Sequence, residues 1–203
     1  EQEKLRGEGR YLGVGIVSTI EPAGVAVMNC QMGGITQARV QMTPDGTVEV
    51  HSDRTEIGQG AEMSHGIIVS DILGCKTEDI YVKPATSEFI GQGPLSSRGA
   101  VYPASAVAKA AKILRKKMLR CAAVFLKEPE ENIEIKDGVI FSSRDPKKRL
   151  TFKDFAEKVF FFPGPRALSK EMLLEHDHLM DVTTTWYSPT TPESGTADRK
   201  SVV

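Results

Sequence analysis

Residues 37–51 carry the pattern of a β-hairpin. Residues 37–42 and 47–51 each alternate polar and apolar side chains, which is typical of a strand with one buried face. The four residues between them read Thr-Pro-Asp-Gly, in which Pro44 fixes φ and Gly46 supplies a positive φ. The sequence therefore predicts an antiparallel strand pair that lies against a core.

Helical and strand patterns follow one another along the rest of the chain without a regular β-α-β repeat. A helical pattern ends at Gly74, a short strand is predicted at residues 80–82, and a long helix at about residues 101–127. A second hairpin at residues 133–141 and a helix that begins near Thr151 complete the series. The first helix is predicted to bury Met63, Ile67, Ile68, Ile72 and Leu73. This order is typical of an α+β protein.

The regular patterns weaken at a proline-interrupted stretch after residue 162. We therefore expect residues 1–162 to form one α+β domain and residues 163–203 to be an irregular segment, the truncated start of a further half. One strand is still predicted at residues 180–187. Residues 188–203 are rich in Pro, Ser and Thr, and we expect them to be loose.

Composition and charge exclude several classes of protein. The net charge is −1, so no strong field points to nucleic acid or to a membrane surface, and no apolar run is long enough for a transmembrane helix. Cys30, Cys75 and Cys121 lie far apart, which disfavours a disulfide framework and a zinc or iron–sulfur site. Buried reduced thiols, and hence a cytoplasmic protein, are the simpler interpretation.

Two charged segments are weaker candidates for function. His176 and His178 have acidic neighbours and could bind a metal, but a solvated acidic run is the simpler interpretation, and we predict no protein metal site. The long helix is basic, but no aromatic residues interleave with its charges. Binding of nucleic acid by base stacking is therefore not predicted.

Gly58, Gln59 and Gly60 form a Gly-rich loop directly before a predicted helix. Glycine lets backbone N–H groups approach a ligand closely. The helix N-terminus offers free N–H donors and the positive end of the helix dipole, which suits phosphate. The amide of Gln59 can both donate and accept. A tight strand-to-helix turn without a ligand is the alternative that these residues leave open.

A second Gly-rich loop, residues 91–99, precedes the long helix. Ser96, Ser97 and Arg98 offer hydroxyl and guanidinium groups that suit oxyanions, and Gly99 ends the loop. A solvated loop is the alternative. Two such loops before two helices favour an anionic, phosphate-bearing ligand. Neither loop has the phosphate-loop pattern of P-loop nucleoside triphosphatases or the Gly-x-Gly-x-x-Gly dinucleotide fingerprint.

Taken in order, these motifs resemble those of the molybdenum hydroxylases, the family of the xanthine dehydrogenase, aldehyde oxidase and carbon monoxide dehydrogenase large subunits. Residues 43–60, from the Thr-Pro-Asp-Gly turn to the Gly-Gln-Gly loop, look like a run of that family. Residues 68–79 resemble the helix that comes next in the family. Residues 96–100 resemble its Ser-Arg loop before an Ala-rich helix, and residues 131–134 resemble a later sequence motif. The resemblance covers about residues 6–159.

The resemblance implies the molybdenum-cofactor-binding α+β fold, a mixed sheet with packed helices. It implies that residues 58–60 lie beside molybdopterin, with Gln59 at the pterin or near the apical oxo ligand of the metal. Residues 96–99 would line the pterin and its phosphate or dinucleotide tail, in the plain or the cytosine dinucleotide form of the cofactor. The cofactor holds molybdenum through its own dithiolene, so no protein ligand to the metal is expected.

The family hydroxylates a carbon centre of an aldehyde, purine or N-heterocycle with oxygen from water. The resemblance implies iron–sulfur (2Fe-2S) and FAD partner chains or domains, and the other part of the large subunit. The family's catalytic glutamate lies in a later motif that this sequence lacks. We therefore name no catalytic residue and expect a fragment that is inactive alone. A cofactor-free scaffold of the same fold and an unrelated nucleotide-binding module are the alternatives.

Overall fold

The computed structural model describes residues 1–22, 35–84, 86–91, 93, 98–161, 164–187 and 193–202. The helices are α1 (Gln2–Gly7), α2 (Ala61–Leu73), α3 (Pro103–Leu126), α4 (Phe152–Phe160) and α5 (Lys170–Leu174). The strands are β1 (Val14–Pro22), β2 (Thr36–Met42), β3 (Val48–Ser52), β4 (Ile80–Val82), β5 (Ile133–Lys136), β6 (Val139–Ser142), β7 (Arg149–Thr151), β8 (Asp181–Trp186) and β9 (Glu193–Val202). None of these helices combines the length and apolar character needed to cross a membrane.

A mixed four-stranded sheet with the order β4-β3-β2-β8 forms the centre of the fold. The predicted hairpin is confirmed as the antiparallel pair β2 and β3, while β8 adds to β2 antiparallel and β4 adds to β3 parallel. Burial alternates along both hairpin strands, with Ala38, Val40 and Met42 inward on β2 and Val48 and Val50 inward on β3. The α+β class with a mixed sheet is therefore confirmed.

Helix α3 covers one face of this sheet, where it packs on β2 and β8. Its buried side chains keep the predicted helical spacing, and several of them are alanines. Small residues allow a helix to lie close to its neighbours, while Leu114 and Met118 fill the remaining core. Pro103 stands at the first helical position, where its missing N–H has no intrahelical partner to lose.

The buried face of α2 differs from the predicted one. His65, Val69 and Leu73 are buried at intervals of four residues, whereas Met63 and Ile67 are 72% and 47% exposed. Because α2 carries apolar residues on more than one side, periodicity alone did not determine which side faces α3 and β4. The predicted end of the helix is confirmed, since Gly74 adopts φ 72° and donates its N–H to Ser70 O at 2.8 Å.

A second, three-stranded sheet of β5, β6 and β7 leads into α4. The hairpin β5–β6 was predicted, and so was the helix start at Thr151. Thr151 and Asp154 form a reciprocal capping box, in which the Thr151 hydroxyl accepts from Asp154 N at 3.1 Å. Helix α4 buries Phe155 in the common core.

The expectation of an irregular C-terminal segment was wrong for its described part. The predicted strand near residues 180–187 is confirmed as β8, which pairs with β2 in the central sheet. Residues 193–202, expected to be loose, form β9, which pairs antiparallel with β1 from Val14↔Val202 onward. Local composition could not indicate this, because β9 depends on a partner far away in sequence. The domain boundary at residue 162 stays a prediction.

The thiols agree with the sequence interpretation where the structure describes them. Cys75 and Cys121 are buried and unpaired with each other. Burial, the larger cause in both, raises the pKa of Cys75 to about 11 and that of Cys121 to about 12. Both side chains are therefore neutral and unreactive near pH 7. Cys30 lies outside the described residues.

Candidate cofactor site

The first Gly-rich loop connects the end of β3 to the start of α2, and residues 55–60 are all exposed. Gly58 has φ 88° and Gly60 has φ 74°, so both need the left-handed conformation that glycine adopts without strain. A Cβ atom built on either glycine would meet no heavy atom within 4 Å. The loop therefore presents open backbone to its surroundings, which suits close approach by a ligand.

The N-terminus of α2 already holds an anion that belongs to the chain. Glu56 Oε1 accepts from Gly58 N at 2.9 Å and from Gly60 N at 3.1 Å, and Oε2 accepts from Glu62 N at 3.1 Å. These bonds, led by that from Glu62, lower the pKa of Glu56. Three N–H donors at this helix start, those of Gly58, Gly60 and Glu62, therefore bond Glu56 in the structure. Binding of a phosphate at this helix stays a prediction.

The side chain of Gln59 also bonds backbone groups of the first loop. Its Nε2 donates to Thr55 O at 2.9 Å, and its Oε1 accepts from Ile57 N at 2.6 Å. The side chain is nevertheless exposed, so rotation about its own bonds is enough to bring the amide to a ligand. A cofactor contact at Gln59 therefore stays a prediction.

A cleft of about 260 Å³ opens beside the loop, at the ends of β3 and β4. Its charged and polar lining includes Arg54, Glu56, Glu62, His65 and Lys83. Sequence reasoning missed His65, which is 1% exposed. Burial and, next, the positive charge of Arg54 lower its pKa to about 4. The cleft therefore contains a neutral imidazole near pH 7. The sequence signal that could have indicated His65 is a polar residue among the apolar residues of a helix.

The second loop is described at residues 91, 93, 98 and 99, whereas Ser96 and Ser97 lie outside the described residues. Arg98 is 1% exposed, and its guanidinium carbon stacks 4.4 Å from the centre of the Tyr102 ring. The alternative of a solvated loop therefore does not hold for Arg98, because its side chain is buried against Tyr102.

The start of the second loop is fixed to the central sheet. Ile90 N donates to Gln37 Oε1 at 3.2 Å, and Gln37 N donates to Ile90 O at 2.8 Å. Asp53, which directly follows β3, accepts from Thr36 Oγ1 at 2.6 Å and from Gly93 N at 3.3 Å. Sequence reasoning missed Asp53, although a carboxylate directly after a half-buried strand was a signal that could have found it.

Residues 175–178, which include His176 and His178, make a structural contact with α3. Arg120 Nη1 lies 2.6 Å from Glu175 Oε2 and 2.7 Å from Asp177 Oδ2. Asp177 is buried, so this ion pair ties the residues after α5 to α3. Within the described ranges, no group of three or more His, Cys, Asp or Glu side chains is placed to hold a metal ion.

Three of the six basic residues of α3 bind backbone oxygens of neighbouring elements. Lys109 Nζ donates to Thr185 O at 3.0 Å, Arg115 Nη1 to Ile72 O at 3.1 Å, and Lys117 Nζ to His176 O at 3.1 Å. The positive charges thus fasten α3 to β8, to the end of α2 and to the segment after α5. This internal use gives these three positive charges a structural role.

The fold and the candidate site together indicate which class of protein this chain belongs to. A mixed sheet is covered by a long Ala-rich helix, and the first Gly-rich loop and Gly93 of the second lie at the end of β3. A family model described as the molybdopterin cofactor-binding domain matches residues 1–201. The chain belongs to this family, and the predicted resemblance to molybdenum hydroxylases is confirmed.

Particular relatives are large or molybdenum-binding subunits. The chain is 32% identical over 167 residues to the nicotine 6-hydroxylase large subunit of Paenarthrobacter nicotinovorans, an alignment that covers 79% of this chain and 20% of the relative. It is 33% identical over 138 residues to the putative xanthine dehydrogenase molybdenum-binding subunit of Escherichia coli (strain K12), covering 64% of this chain and 18% of the relative. The chain thus spans about a fifth of these proteins.

Solved structures share the fold. Quinoline 2-oxidoreductase from Pseudomonas putida 86 superimposes with a TM-score of 0.77 at 24% identity, over 99% of this chain and 25% of that one. The carbon monoxide dehydrogenase of Oligotropha carboxidovorans gives 0.71 at 22% identity, over 94% of this chain and 24% of that one. The α+β architecture described above is therefore that of a molybdenum hydroxylase domain.

Proposed function

We propose that the chain is the molybdopterin-binding part of an oxidoreductase that hydroxylates a carbon centre of an aldehyde, purine or N-heterocycle with oxygen from water. The observation that carries the proposal is the match of residues 1–201 to the molybdopterin cofactor-binding family. The relatives named as a nicotine 6-hydroxylase and a xanthine dehydrogenase subunit support the class of substrate.

The described residues fit the cofactor at the first loop in one respect and not in another. The open faces of Gly58 and Gly60 and the exposed amide of Gln59 suit a flat, polar pterin. At the N-terminus of α2, a phosphate would have to displace the Glu56 carboxylate from Gly58 N and Glu62 N. In the proposal the first loop therefore binds the pterin, and the second loop, with Ser96, Ser97, Arg98 and Gly99, faces the phosphate or dinucleotide tail. When bound, molybdopterin supplies a dithiolene-held molybdenum that exchanges electrons.

The proposal includes partners. The other part of the large subunit would complete the pocket and provide the general base, and 2Fe-2S and FAD chains or domains would carry electrons away. A further relative is named as subunit gamma of the 6-hydroxypseudooxynicotine dehydrogenase complex, which supports a multi-subunit assembly. The assembly would be cytoplasmic, and this chain would be inactive without it.

Metal analysis of the native assembly tests the proposal. Stoichiometric molybdenum and phosphorus are expected, and Gln59→Ala should lower both several-fold because the variant removes an exposed amide without touching the core. Arg98→Ala should do the same, with thermal unfolding measured alongside because it also uncovers Tyr102. Lys136→Ala, at an exposed residue of β5 in the separate three-stranded sheet, is the control. Absence of molybdenum from the parent assembly would contradict the proposal.

A cofactor-free scaffold is the second candidate, and one observation favours it. Glu56 and Gln59 already bond several backbone groups at the first loop, among them Thr55 O, Gly58 N and Gly60 N. Under this alternative the parent assembly contains no molybdenum, and Gln59→Ala has no effect on metal content.

A further inference from the structure

Asp53, at the end of β3, links the central sheet to the second Gly-rich loop. The residue is buried, and its two carboxylate oxygens serve different parts of the chain. Oδ1 accepts from the Thr36 hydroxyl on β2 at 2.6 Å, and Oδ2 accepts from Gly93 N at 3.3 Å. A carboxylate that bonds donors on both sides fixes the distance between them.

Two glycines of the loop leave room for Asp53 and for its neighbour Arg54. A Cβ atom on Gly91 would lie 1.7 Å from Asp53 Oδ2, and a Cβ atom on Gly99 would lie 2.2 Å from Arg54 Nη1. Neither glycine has a positive φ, so space rather than backbone conformation requires glycine here. The adjacent side chains of residues 53 and 54 therefore contact the loop near its two ends.

Arg54 also stands next to the first loop. It lines the same cleft as Glu56, whose carboxylate holds Gly58 N and Gly60 N. Thr55 alone separates Arg54 from Glu56 in sequence. Residues 53 and 54 thus lie between the two Gly-rich loops and contact one of them directly.

We infer that Asp53 and Arg54 are positioning residues that fix the described ends of the second Gly-rich loop, at Gly91, Gly93 and Gly99, relative to the first loop. Neither side chain has to touch the cofactor for this role. Asp53 fixes the start of the second loop to β2 and β3, and Arg54 fills the space against its end. The effect on loop order stands by itself, whereas the effect on cofactor retention rests on the function proposed above.

Thr36 gives the cleanest test because its hydroxyl can be removed without a change of shape. In the native assembly, Thr36→Val deletes the bond to Asp53, and Thr36→Ser keeps it. Hydrogen exchange at Ile90 N and Gly93 N should be about tenfold to a hundredfold faster in Thr36→Val, since a bond to a charged group is lost. Exchange should return to the parent rate in Thr36→Ser. Parent-like exchange in Thr36→Val would overturn the inference.

Molybdenum content supplies the second readout. Thr36→Val and Gly91→Ala, which drives a methyl group into Asp53, should retain several-fold less molybdenum than the parent, and Thr36→Ser should retain as much. Asp181→Asn, which weakens an exposed ion pair between β8 and β2, is the control. Faster exchange with full molybdenum content would overturn the positioning role. A parent without molybdenum would instead contradict the proposed function, and the exchange rates would then decide the inference alone.

Discussion

His65 shows how one buried side chain links stability to pH. Its imidazole is neutral in the folded protein because burial and Arg54 lower its pKa from 6.5 to about 4. In the unfolded chain the imidazole takes up a proton as the pH falls through its ordinary pKa of 6.5. Between these two values the unfolded state therefore binds more protons, and stability falls as the pH falls.

We predict that His65→Gln flattens the acid side of the stability profile. At pH 4 the parent should lose about 3 kcal/mol through this residue, relative to pH 8, from a difference of about 2.5 pKa units. Urea unfolding of both proteins from pH 8 to pH 4 measures the difference. His176→Gln removes an exposed histidine and is the control. Parallel profiles for the parent and His65→Gln would contradict the assignment.

At the scale of the element, α2 is defined by its two ends. Gly74 ends it with a positive φ, which the sequence predicted. Glu56 caps its start with a side chain that lies four residues before Gly60, and this the sequence did not indicate. Gly58 and Gly60, which suggest a ligand site, thus donate their N–H groups to a carboxylate of the loop itself.

We predict that the amide resonances of Gly58 and Gly60 titrate with Glu56. Its lowered pKa means that the cap is fully formed above the ordinary value of 4.5 and is lost as the pH falls through the lower, folded-state value. A midpoint below 4.5 is therefore expected in NMR titration, and Glu56→Gln should abolish the transition. Glu62→Gln, which keeps the capping carboxylate, should preserve it. A transition that survives Glu56→Gln would show that another group is responsible.

At the scale of the whole molecule, the C-terminal segment completes the core of the preceding part. Leu168, Met172, Met180 and Val182 are buried in the same apolar cluster as Val40 on β2 and Leu114 on α3. Burying each such side chain stabilises a fold by about 1.5–3 kcal/mol. Four of them contribute roughly 6–12 kcal/mol, which is comparable with the whole stability of a typical domain, about 5–15 kcal/mol.

A chain that ends at residue 162 should therefore fail to fold cooperatively, even though the sequence pattern weakens there. A chain that ends at residue 187 keeps α5 and β8 and should unfold in one transition. Calorimetry and circular dichroism of the two chains measure this. Cooperative unfolding of the shorter chain would establish residues 1–162 as an independent domain.

Local chemistry determined the elements. The Thr-Pro-Asp-Gly turn, the stop at Gly74, the cap at Thr151 and the spacing along α3 each act within a few residues, so the sequence alone indicated them. The family resemblance followed from the same short motifs in order, and with it the two Gly-rich loops.

Only the tertiary structure decided which surfaces meet. The buried side of α2, the pairing of β9 with β1 and the link from Thr36 through Asp53 to Gly93 each join residues that are distant in sequence or equivalent in local pattern. Burial and hydrogen bonding across such distances depend on the packed chain. The sequence by itself therefore predicted two Gly-rich loops as cofactor contacts, and the structure showed the bonds that Glu56 makes to Gly58 and that Asp53 makes to Gly93.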